Sequence, residues 1–200
     1  MNKKTHPLIW HGGSVTKAER QKLLNQQPIT IWLTGLSAAG KSTLAFALER
    51  ELIDRGHACY VLDGDNVRHG LNRDLGFSPE DRTENIRRIA EVARLMNDAG
   101  LIVIAAFISP YRMDRAAARK IIGQENFREV YVNTSLSVCE SRDPKALYAK
   151  ARAGKMAEFT GISSPYEEPE QPDLVIDTAH LSLDQSIASL LYLVNIRPTR

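Results

Sequence analysis

Two carboxylates and an arginine stand close together in the stretch VLDGDNVRHG, residues 61–70. Asp63 and Asp65 flank a glycine at the end of an apolar run, and Arg68 follows three residues later. Acids of this kind can hold a metal ion or take a proton from a hydroxyl, and an arginine beside them can bind an anion. The alternative is a turn that leads into a helix whose first residues are capped by an acid. The rest of the chain has to decide between these interpretations.

A phosphate-binding loop is predicted at residues 35–42, which read GLSAAGKS and match G-x-x-x-x-G-K-[ST]. Glycines let such a backbone turn its N–H groups toward phosphate oxygens, and the helix that follows adds its positive end. Lys41 is expected to reach the β- and γ-phosphates, and the Ser42 hydroxyl to ligate Mg²⁺. The alternative is a glycine-rich turn with an exposed lysine. The predicted ATP site comprises Gly35, Leu36, Ser37, Ala38, Ala39, Gly40, Lys41, Ser42 and Thr43.

Strands and helices alternate along the chain, and the strands read as nearly continuous apolar runs. This pattern predicts an α/β fold of the P-loop NTPase type, with a parallel sheet covered by helices on both faces. In such sheets ligands bind at the carboxyl ends of the strands. Strands are predicted at 29–35, 58–64, 101–107, 128–134 and 173–178, and helices at 17–25, 42–56, 80–100, 112–122 and 182–194.

The predicted domain organisation has an N-terminal arm with a short helix at residues 1–28 and a P-loop kinase domain at residues 29–200. Residues 1–13 look irregular, and Thr16 with Glu19 fits a capping box. The segment 143–172 interrupts the strand–helix alternation with about thirty residues. An insertion of this length in a compact domain indicates a functional lid or a disordered loop.

Composition excludes several classes of protein. A net charge of +2 argues against a general nucleic-acid binder. Cys59 and Cys139 lie in no CxxC or Cys/His cluster, so neither zinc nor a disulfide framework is indicated, and the histidines suggest no metal site. The longest apolar run, residues 101–108, is too short to span a bilayer, and the first residues lack the apolar core of a leader. We therefore expect a cytoplasmic protein with no membrane or nucleic-acid partner.

The chain has no guanine-reading N-K-x-D motif, and it is too short for a large motor ATPase. A P-loop with a lid-like insertion on a chain of 200 residues favours a small-molecule kinase. Phosphoryl transfer needs Mg²⁺, positive charge near the γ-phosphate, an acid that orients the acceptor hydroxyl, and exclusion of water.

Longer motifs identify a family. The stretch DGDNVRHGLNRDLGFSPEDRTENIRRIAEVA, with GLSAAGKST before it and FISPYR and FTGISSPYE after it, closely resembles adenylyl-sulfate kinases. Those enzymes make 3′-phosphoadenylyl sulfate (PAPS) from adenylyl sulfate (APS) and ATP in sulfate assimilation. The resemblance covers residues 29–178 and implies the same reaction and a homodimer. It leaves two alternatives open, a protein that works alone and one that docks on an ATP sulfurylase.

The resemblance also implies roles for single residues. Asp65 is expected to act as the base on the 3′-hydroxyl, and Asp63, with Ser42, to lie on the Mg²⁺ side, partly through water. Arg68, Arg82 and Asn85 match positions that hold the phosphosulfate, and two phenylalanines match a pair that sandwiches the adenine. The expected catalytic residues are Asp65, Asp63, Lys41 and Ser109, and the expected substrate-binding residues are Arg68, Phe77, Arg82, Asn85, Ile108, Ser109, Lys145 and Phe159.

Ser109, in FISPYR, matches a serine proposed in this family to form a phosphoserine intermediate. No histidine or lysine adjacent in sequence would activate it. We favour direct in-line transfer, with Ser109 as a positioning residue, and the phosphoenzyme as the alternative.

The lid departs from the common family pattern. The family usually reads KGLYKKAR and this chain reads KALYAKAR, so Ala146 replaces a glycine and Ala149 a lysine. Lys145 and Lys150 remain where lid lysines can close over phosphates. Ala38-Ala39 also stands where glycine-serine is common. We expect the beginning of the lid to be stiffer because of Ala146 and to carry one positive charge fewer because of Ala149.

Two rival functions remain open at this point. One is a P-loop kinase for another small alcohol, such as a sugar acid or a nucleoside. The other is a regulatory domain that binds ATP without transferring its phosphate. The intact Lys41, Ser42, Asp63 and Asp65 argue against the second.

Overall fold

The computed structural model describes Ile9 and residues 11–195. Most of the predicted arm, residues 1–13, therefore lies outside the described residues. The first helix, α1 (Lys17–Leu24), is capped by Thr16, whose side chain accepts a hydrogen bond from the Glu19 backbone N–H, while the Glu19 carboxylate accepts one from the Thr16 backbone N–H. The capping box expected from the sequence is present.

Within residues 11–195, five parallel strands form one sheet, which confirms the predicted α/β fold. The order in space is β2-β3-β1-β4-β5, so every neighbouring pair of strands requires a crossover. The strands are β1 (Thr30–Thr34), β2 (Cys59–Asp63), β3 (Ile102–Ala106), β4 (Phe127–Val132) and β5 (Leu174–Ile176).

In the described part of the chain, seven further helices connect or cover the strands: α2 (Lys41–Asp54), α3 (Gly64–Arg68), α4 (Pro79–Asp98), α5 (Arg112–Ile122), α6 (Leu136–Arg142), α7 (Leu147–Arg152) and α8 (Leu183–Leu193). A 3-10 turn covers Gln124–Asn126. The short helices α3 and α6 were not predicted, because five or seven residues are too few to show a helical period.

The core lies on both faces of the sheet, and β1 shows why. Side chains along a strand alternate between the faces. Ile31 and Leu33 are fully buried against Leu48 of α2, while Trp32 is fully buried with Ile86 of α4 on the opposite face. A strand buried on both sides must be apolar throughout, which explains its sequence TIWLT.

The strand order places three loops at one edge of the sheet. β3 lies between β1 and β2, with Leu33 and Asp63 both in register with Ala106. The loop that follows β3, which contains Ser109, therefore lies between the P-loop and the Asp63–Asp65 segment. Within the described part of the chain, no helix is long and apolar enough to cross a membrane.

Candidate active site

The backbone of the P-loop requires glycine at two positions. Gly35 has φ +152°, and a Cβ there would lie 2.5 Å from the Val132 carbonyl oxygen. Gly40 has φ +100° and is the residue before α2, facing the Thr178 side chain. Any side chain would be strained at both positions. The loop therefore passes from β1 into the N-terminus of α2 through two backbone conformations that favour glycine, as a phosphate-binding loop of this pattern needs.

Lys41 is buried within this loop. Its Nζ donates hydrogen bonds to the carbonyl oxygens of Gly35 (2.9 Å) and Leu36 (2.6 Å). Burial lowers the pKa of Lys41 to about 8, against the opposing influence of nearby groups that include Asp63 and Asp65. The buried Lys41 ammonium is thus bonded to neutral carbonyl oxygens, and an anion that binds beside it would be stabilised.

ATP binding should therefore be accompanied by proton uptake at Lys41. With a pKa of about 8 in the free protein, the lysine is half deprotonated near pH 8, and phosphate oxygens favour its charged form. We expect uptake of about half a proton at pH 8 and a weaker ATP affinity as the pH rises from 7 to 9. Calorimetry in buffers of different ionisation enthalpy measures the uptake. A Lys41→Arg variant keeps its charge and should show none; equal uptake by both proteins would refute this assignment.

Asp63 is buried and has both carboxylate oxygens engaged. Oδ1 accepts from the backbone N–H groups of Asp65 (3.0 Å) and Asn66 (3.4 Å), which caps α3. Oδ2 accepts from the Ser42 hydroxyl at 2.7 Å. Both interpretations of the DGD stretch thus hold for one residue, since Asp63 is a helix cap and also contacts the P-loop.

The Ser42–Asp63 pair fits a magnesium ion. One hydroxyl and one carboxylate oxygen, 2.7 Å apart, are hard oxygen donors that suit Mg²⁺, which keeps waters and substrate phosphates as its other ligands. Residues 11–195 contain no cluster of three or more His, Cys, Asp or Glu side chains that could hold a metal alone. The protein's share of such a site would therefore be small and the nucleotide's share large.

Asp65 differs from Asp63 in its surroundings. Its side chain is 67% exposed, and its Oδ2 contacts the Nζ of Lys145 from the 143–172 segment. Its backbone N–H is tied to Asp63, so the side chain projects from the first turn of α3. One carboxylate is therefore fixed and the other is free to meet a substrate.

The two phenylalanines lie in different surroundings. Phe77 is 60% exposed, with the Arg68 guanidinium over its ring at 4.4 Å. Phe159 is buried and packs edge-on against Tyr148, with the ring centroids 4.9 Å apart. An exposed phenylalanine beside a cavity marks a surface that a flat apolar ligand can cover.

Arg82 joins the Phe77 loop to the 143–172 segment. Its Nε donates to the Phe77 carbonyl (2.8 Å), its Nη1 to Thr160 Oγ1 (2.7 Å) and its Nη2 to the Glu158 carbonyl (2.5 Å). One guanidinium therefore fixes the backbone on both sides of the space between Phe77 and Phe159, and two of its five N–H donors remain.

Ser109 lies in a buried, strained loop. It has φ +38°, is 2% exposed, and its Oγ accepts a hydrogen bond from the Trp32 indole (3.1 Å). Its carbonyl accepts from Arg115 Nη1 at 2.7 Å, and Arg115 is itself buried and paired with Glu129. This network holds a backbone conformation that a serine rarely adopts.

A cavity of about 1020 Å³ brings the predicted groups together. Every expected catalytic and substrate-binding side chain lines it, together with Ser37, Ala38, Gly40, Ser42 and Thr43 of the P-loop. Gly35, Leu36 and Ala39 do not line it; Leu36 lines a separate cavity of about 510 Å³.

Sequence reasoning missed the part of the cavity wall that lies beside the P-loop. Arg142 lines it and donates to both Thr178 Oγ1 and the Thr178 carbonyl at 2.8 Å, and the Thr178 hydroxyl reaches the Ala39 carbonyl at 2.8 Å. Thr178 lies just after β5, so its position at a strand end was the available signal for it, whereas Arg142 is the last residue of α6 and gave no such signal.

The start of the lid segment is strained. Ala146 has φ +53° at the residue before α7, and Ala38 of the P-loop has φ +58°. These are positions where the family pattern commonly has glycine. The Tyr148 hydroxyl donates to the Ser37 carbonyl at 3.0 Å, so α7 is connected directly to the P-loop.

An Ala146→Gly variant should be more stable than the natural chain. Alanine in the left-handed region destabilises the folded state by about 1–2 kcal/mol, and glycine removes this strain. Glycine also gives the unfolded chain more freedom, which lowers the free energy of unfolding by about 0.4–1 kcal/mol and offsets part of the gain. We expect a net gain of about 0.5–1 kcal/mol, seen as a rise of about 1–4 °C in Tm. Ala149→Gly, a change within α7, should lower Tm instead. A fall in Tm for both variants would contradict the strain at Ala146.

Comparison with known proteins agrees with this geometry. The family model for adenylylsulphate kinase matches residues 27–177. An adenylyl-sulfate kinase from Oceanobacillus iheyensis is 56% identical over 192 residues, covering 96% of both chains. The APS kinase of Mycobacterium tuberculosis, solved in complex with AMPPNP and APS, has a TM-score of 0.82 and 49% identity, covering 85% of this chain and 99% of that one. A hexameric APS kinase from Thiobacillus denitrificans has a TM-score of 0.66 and 32% identity, covering 92% of this chain but 33% of that one. The chain belongs to the adenylylsulphate kinase family.

Proposed function

We propose that this enzyme transfers the γ-phosphate of ATP to the 3′-hydroxyl of APS, giving PAPS. The observation that carries the proposal is the single cavity in which a P-loop, a free carboxylate and an aromatic–arginine wall meet. The family membership and the relative solved with AMPPNP and APS support the same reaction.

The ATP side of the reaction is assigned to the P-loop. Its amides and Lys41 are assigned to the β- and γ-phosphates, and Arg142 and Thr178 line the cavity beside this loop. Ser42 and Asp63 would hold Mg²⁺, which when bound would neutralise charge on the transferring phosphoryl group. On binding ATP, Lys41 Nζ must exchange the carbonyl oxygens of Gly35 and Leu36 for phosphate oxygens.

The acceptor side is assigned to the opposite wall. The adenine of APS is placed between Phe77 and Phe159, where stacking contributes about 1–3 kcal/mol per base. The Arg68 guanidinium uses Nη1 on the Leu75 and Gly76 carbonyls, which leaves Nε and Nη2 for the phosphosulfate. We assign Arg82 chiefly to fixing the two backbones that carry the phenylalanines, with its remaining donors toward the substrate.

Asp65 is assigned as the base that orients and deprotonates the 3′-hydroxyl. Its carboxylate is exposed to the cavity, whereas both oxygens of Asp63 are occupied. The Lys145–Asp65 contact would have to open, so Lys145 is free to move onto phosphate oxygens as the lid closes. A loose transition state asks little of its base, so an ordinary carboxylate suffices.

ADP release with Mg·ATP tests the function. APS, gluconate and a nucleoside are offered in turn, and PAPS is identified as the product. Of the three acceptors, we expect only APS to be phosphorylated. Turnover only with gluconate or a nucleoside would favour a kinase for another alcohol, and ATP binding with no turnover would favour a regulatory domain.

The assembly is also part of the proposal. A homodimer is suggested by the family resemblance, and the hexameric relative is consistent with self-association. Association with an ATP sulfurylase stays a prediction. The division at residue 28 between an arm and the kinase domain, and a cytoplasmic location, stay predictions.

A further inference from the structure

The amide of Asn85 is held from one side only. Asn85 lies on α4 and lines the main cavity while being 6% exposed. Its Oδ1 accepts a hydrogen bond from Asn72 Nδ2 at 2.8 Å. Its own Nδ2 has no partner among the described residues and is not sealed from solvent, so it opens toward the cavity.

Asn72 is more deeply buried than the residue it contacts. It is 0% exposed, and its backbone N–H is anchored to the Val67 carbonyl at 2.9 Å. In the described part of the chain, Asn72 Oδ1 is the one buried side-chain polar atom without a hydrogen-bond partner. Such an orphan lowers stability and calls for an explanation. Asn72 uses its donor on Asn85 and leaves its acceptor unused.

We propose that Asn72 is a positioning residue that orients the Asn85 amide with its nitrogen toward the acceptor site. An asparagine can present either its NH₂ or its oxygen to a ligand, and only the NH₂ can donate to an oxyanion. With Oδ1 occupied by Asn72, Asn85 is set as a donor. The pair therefore selects acceptors that carry an anionic oxygen at this position. This inference rests on the proposed function, since the oxyanion is taken to be the phosphosulfate of APS.

Replacing Asn72→Asp reverses the polarity of the pair. A carboxylate cannot donate to Asn85 Oδ1, so the Asn85 amide turns its NH₂ to the new carboxylate and its oxygen to the substrate. We expect KM for APS to rise about 10- to 100-fold, the effect of losing a hydrogen bond to a charged group. KM for ATP should stay within about twofold of the natural enzyme, because Asn72 does not line the nucleotide wall.

The pH profile of this variant gives a readout that loss of packing would not produce. Burial raises the pKa of a carboxyl group, and the protonated form can donate again to Asn85. KM for APS of Asn72→Asp should therefore fall toward the natural value as the pH is lowered. A KM that is independent of pH would count against the proposed orientation.

Asn97→Asp is the matched control. Asn97 is also on α4, is 2% exposed, accepts from Thr30 Oγ1 and donates to the Leu101 carbonyl. It lies away from the cavity, so its replacement should lower stability and leave KM for APS unchanged. A similar rise in KM for APS in both aspartate variants, or none in Asn72→Asp, overturns the proposal.

Two further measurements keep the proposal testable if Asn72→Asp folds poorly or APS is not the substrate. In a double-mutant cycle, Asn72→Ala should raise KM for APS in the natural background and have no further effect beside Asn85→Ala; additive effects contradict the proposal.

Side-chain NMR tests the orientation of the Asn85 amide without turnover. The Asn85 NH₂ protons should exchange with water faster than those of Asn72, and the reverse order contradicts the assignment. Absence of APS turnover by the natural enzyme would refute the function and leave this NMR test of the orientation intact.

Discussion

An Asp65→Asn variant loses phosphoryl transfer while it still binds ATP. We expect kcat to fall about 10²- to 10⁴-fold, the usual contribution of a positioned general base. ATP affinity should change little, since Asp65 is outside the P-loop and forms no hydrogen bond with Ser42 or Lys41 within the described structure. The stability of the protein should also persist, because the Asp65 side chain is 67% exposed and, among the described residues, is paired with Lys145 alone. Kinetics of ADP release and calorimetric ATP binding measure the two properties separately.

Asp74→Asn is the control for this experiment. Asp74 is also an exposed acid near the acceptor wall, but it is paired with Arg88 and lies outside the cavity. Its replacement should leave kcat unchanged. Near-normal turnover by Asp65→Asn would show that Asp65 is not the base.

An Asp63→Asn variant should fail in a different way. The amide oxygen can still accept from the backbone of α3, and asparagine is as good a helix cap as aspartate, so the fold should survive. The variant loses the negative charge next to Ser42. We expect Mg²⁺ affinity in the presence of ATP to weaken about 10- to 100-fold, with kcat at limiting Mg²⁺ falling in proportion.

Titration with Mg²⁺ distinguishes the two aspartates. Raising the Mg²⁺ concentration should restore part of the activity of Asp63→Asn and none of that of Asp65→Asn. Equal responses of the two variants would contradict the division of roles between Asp63 and Asp65.

The sequence predicted those parts of the site that rest on local patterns. The glycines of GLSAAGKS determine the backbone conformation of the P-loop. The end of an apolar strand places Asp63 and Asp65 at the ligand-binding edge of the sheet. The fold class followed from the alternation of strands and helices. These features depend on residues within a few positions of one another.

The contacts that the sequence did not reveal join distant segments. Arg82 meets Thr160 across 78 positions, and Trp32 meets Ser109 across 77. Arg82 was expected at the substrate, and its bonds to two loops are visible only in three dimensions. The strand order was likewise hidden, because nothing in the sequence says that β3 lies between β1 and β2.

The position of Ser109 bears on the reaction path. Its hydroxyl accepts from the Trp32 indole and is 3.5 Å from the Phe107 carbonyl, to which it donates. No histidine or carboxylate side chain contacts it as a base within the described residues. A nucleophile needs such an activating partner. Burial in this network favours a positioning role, and the proposed path is direct transfer from ATP to the acceptor hydroxyl.

The stereochemistry at phosphorus distinguishes direct transfer from a path through a phosphoserine. ATP made chiral at its γ-phosphorus with oxygen isotopes is converted to PAPS, and the configuration of the transferred phosphoryl group is determined. One in-line displacement, with Asp65 as the base, predicts inversion. Retention would mean two displacements through an enzyme-bound phosphate and would contradict direct transfer to the acceptor hydroxyl.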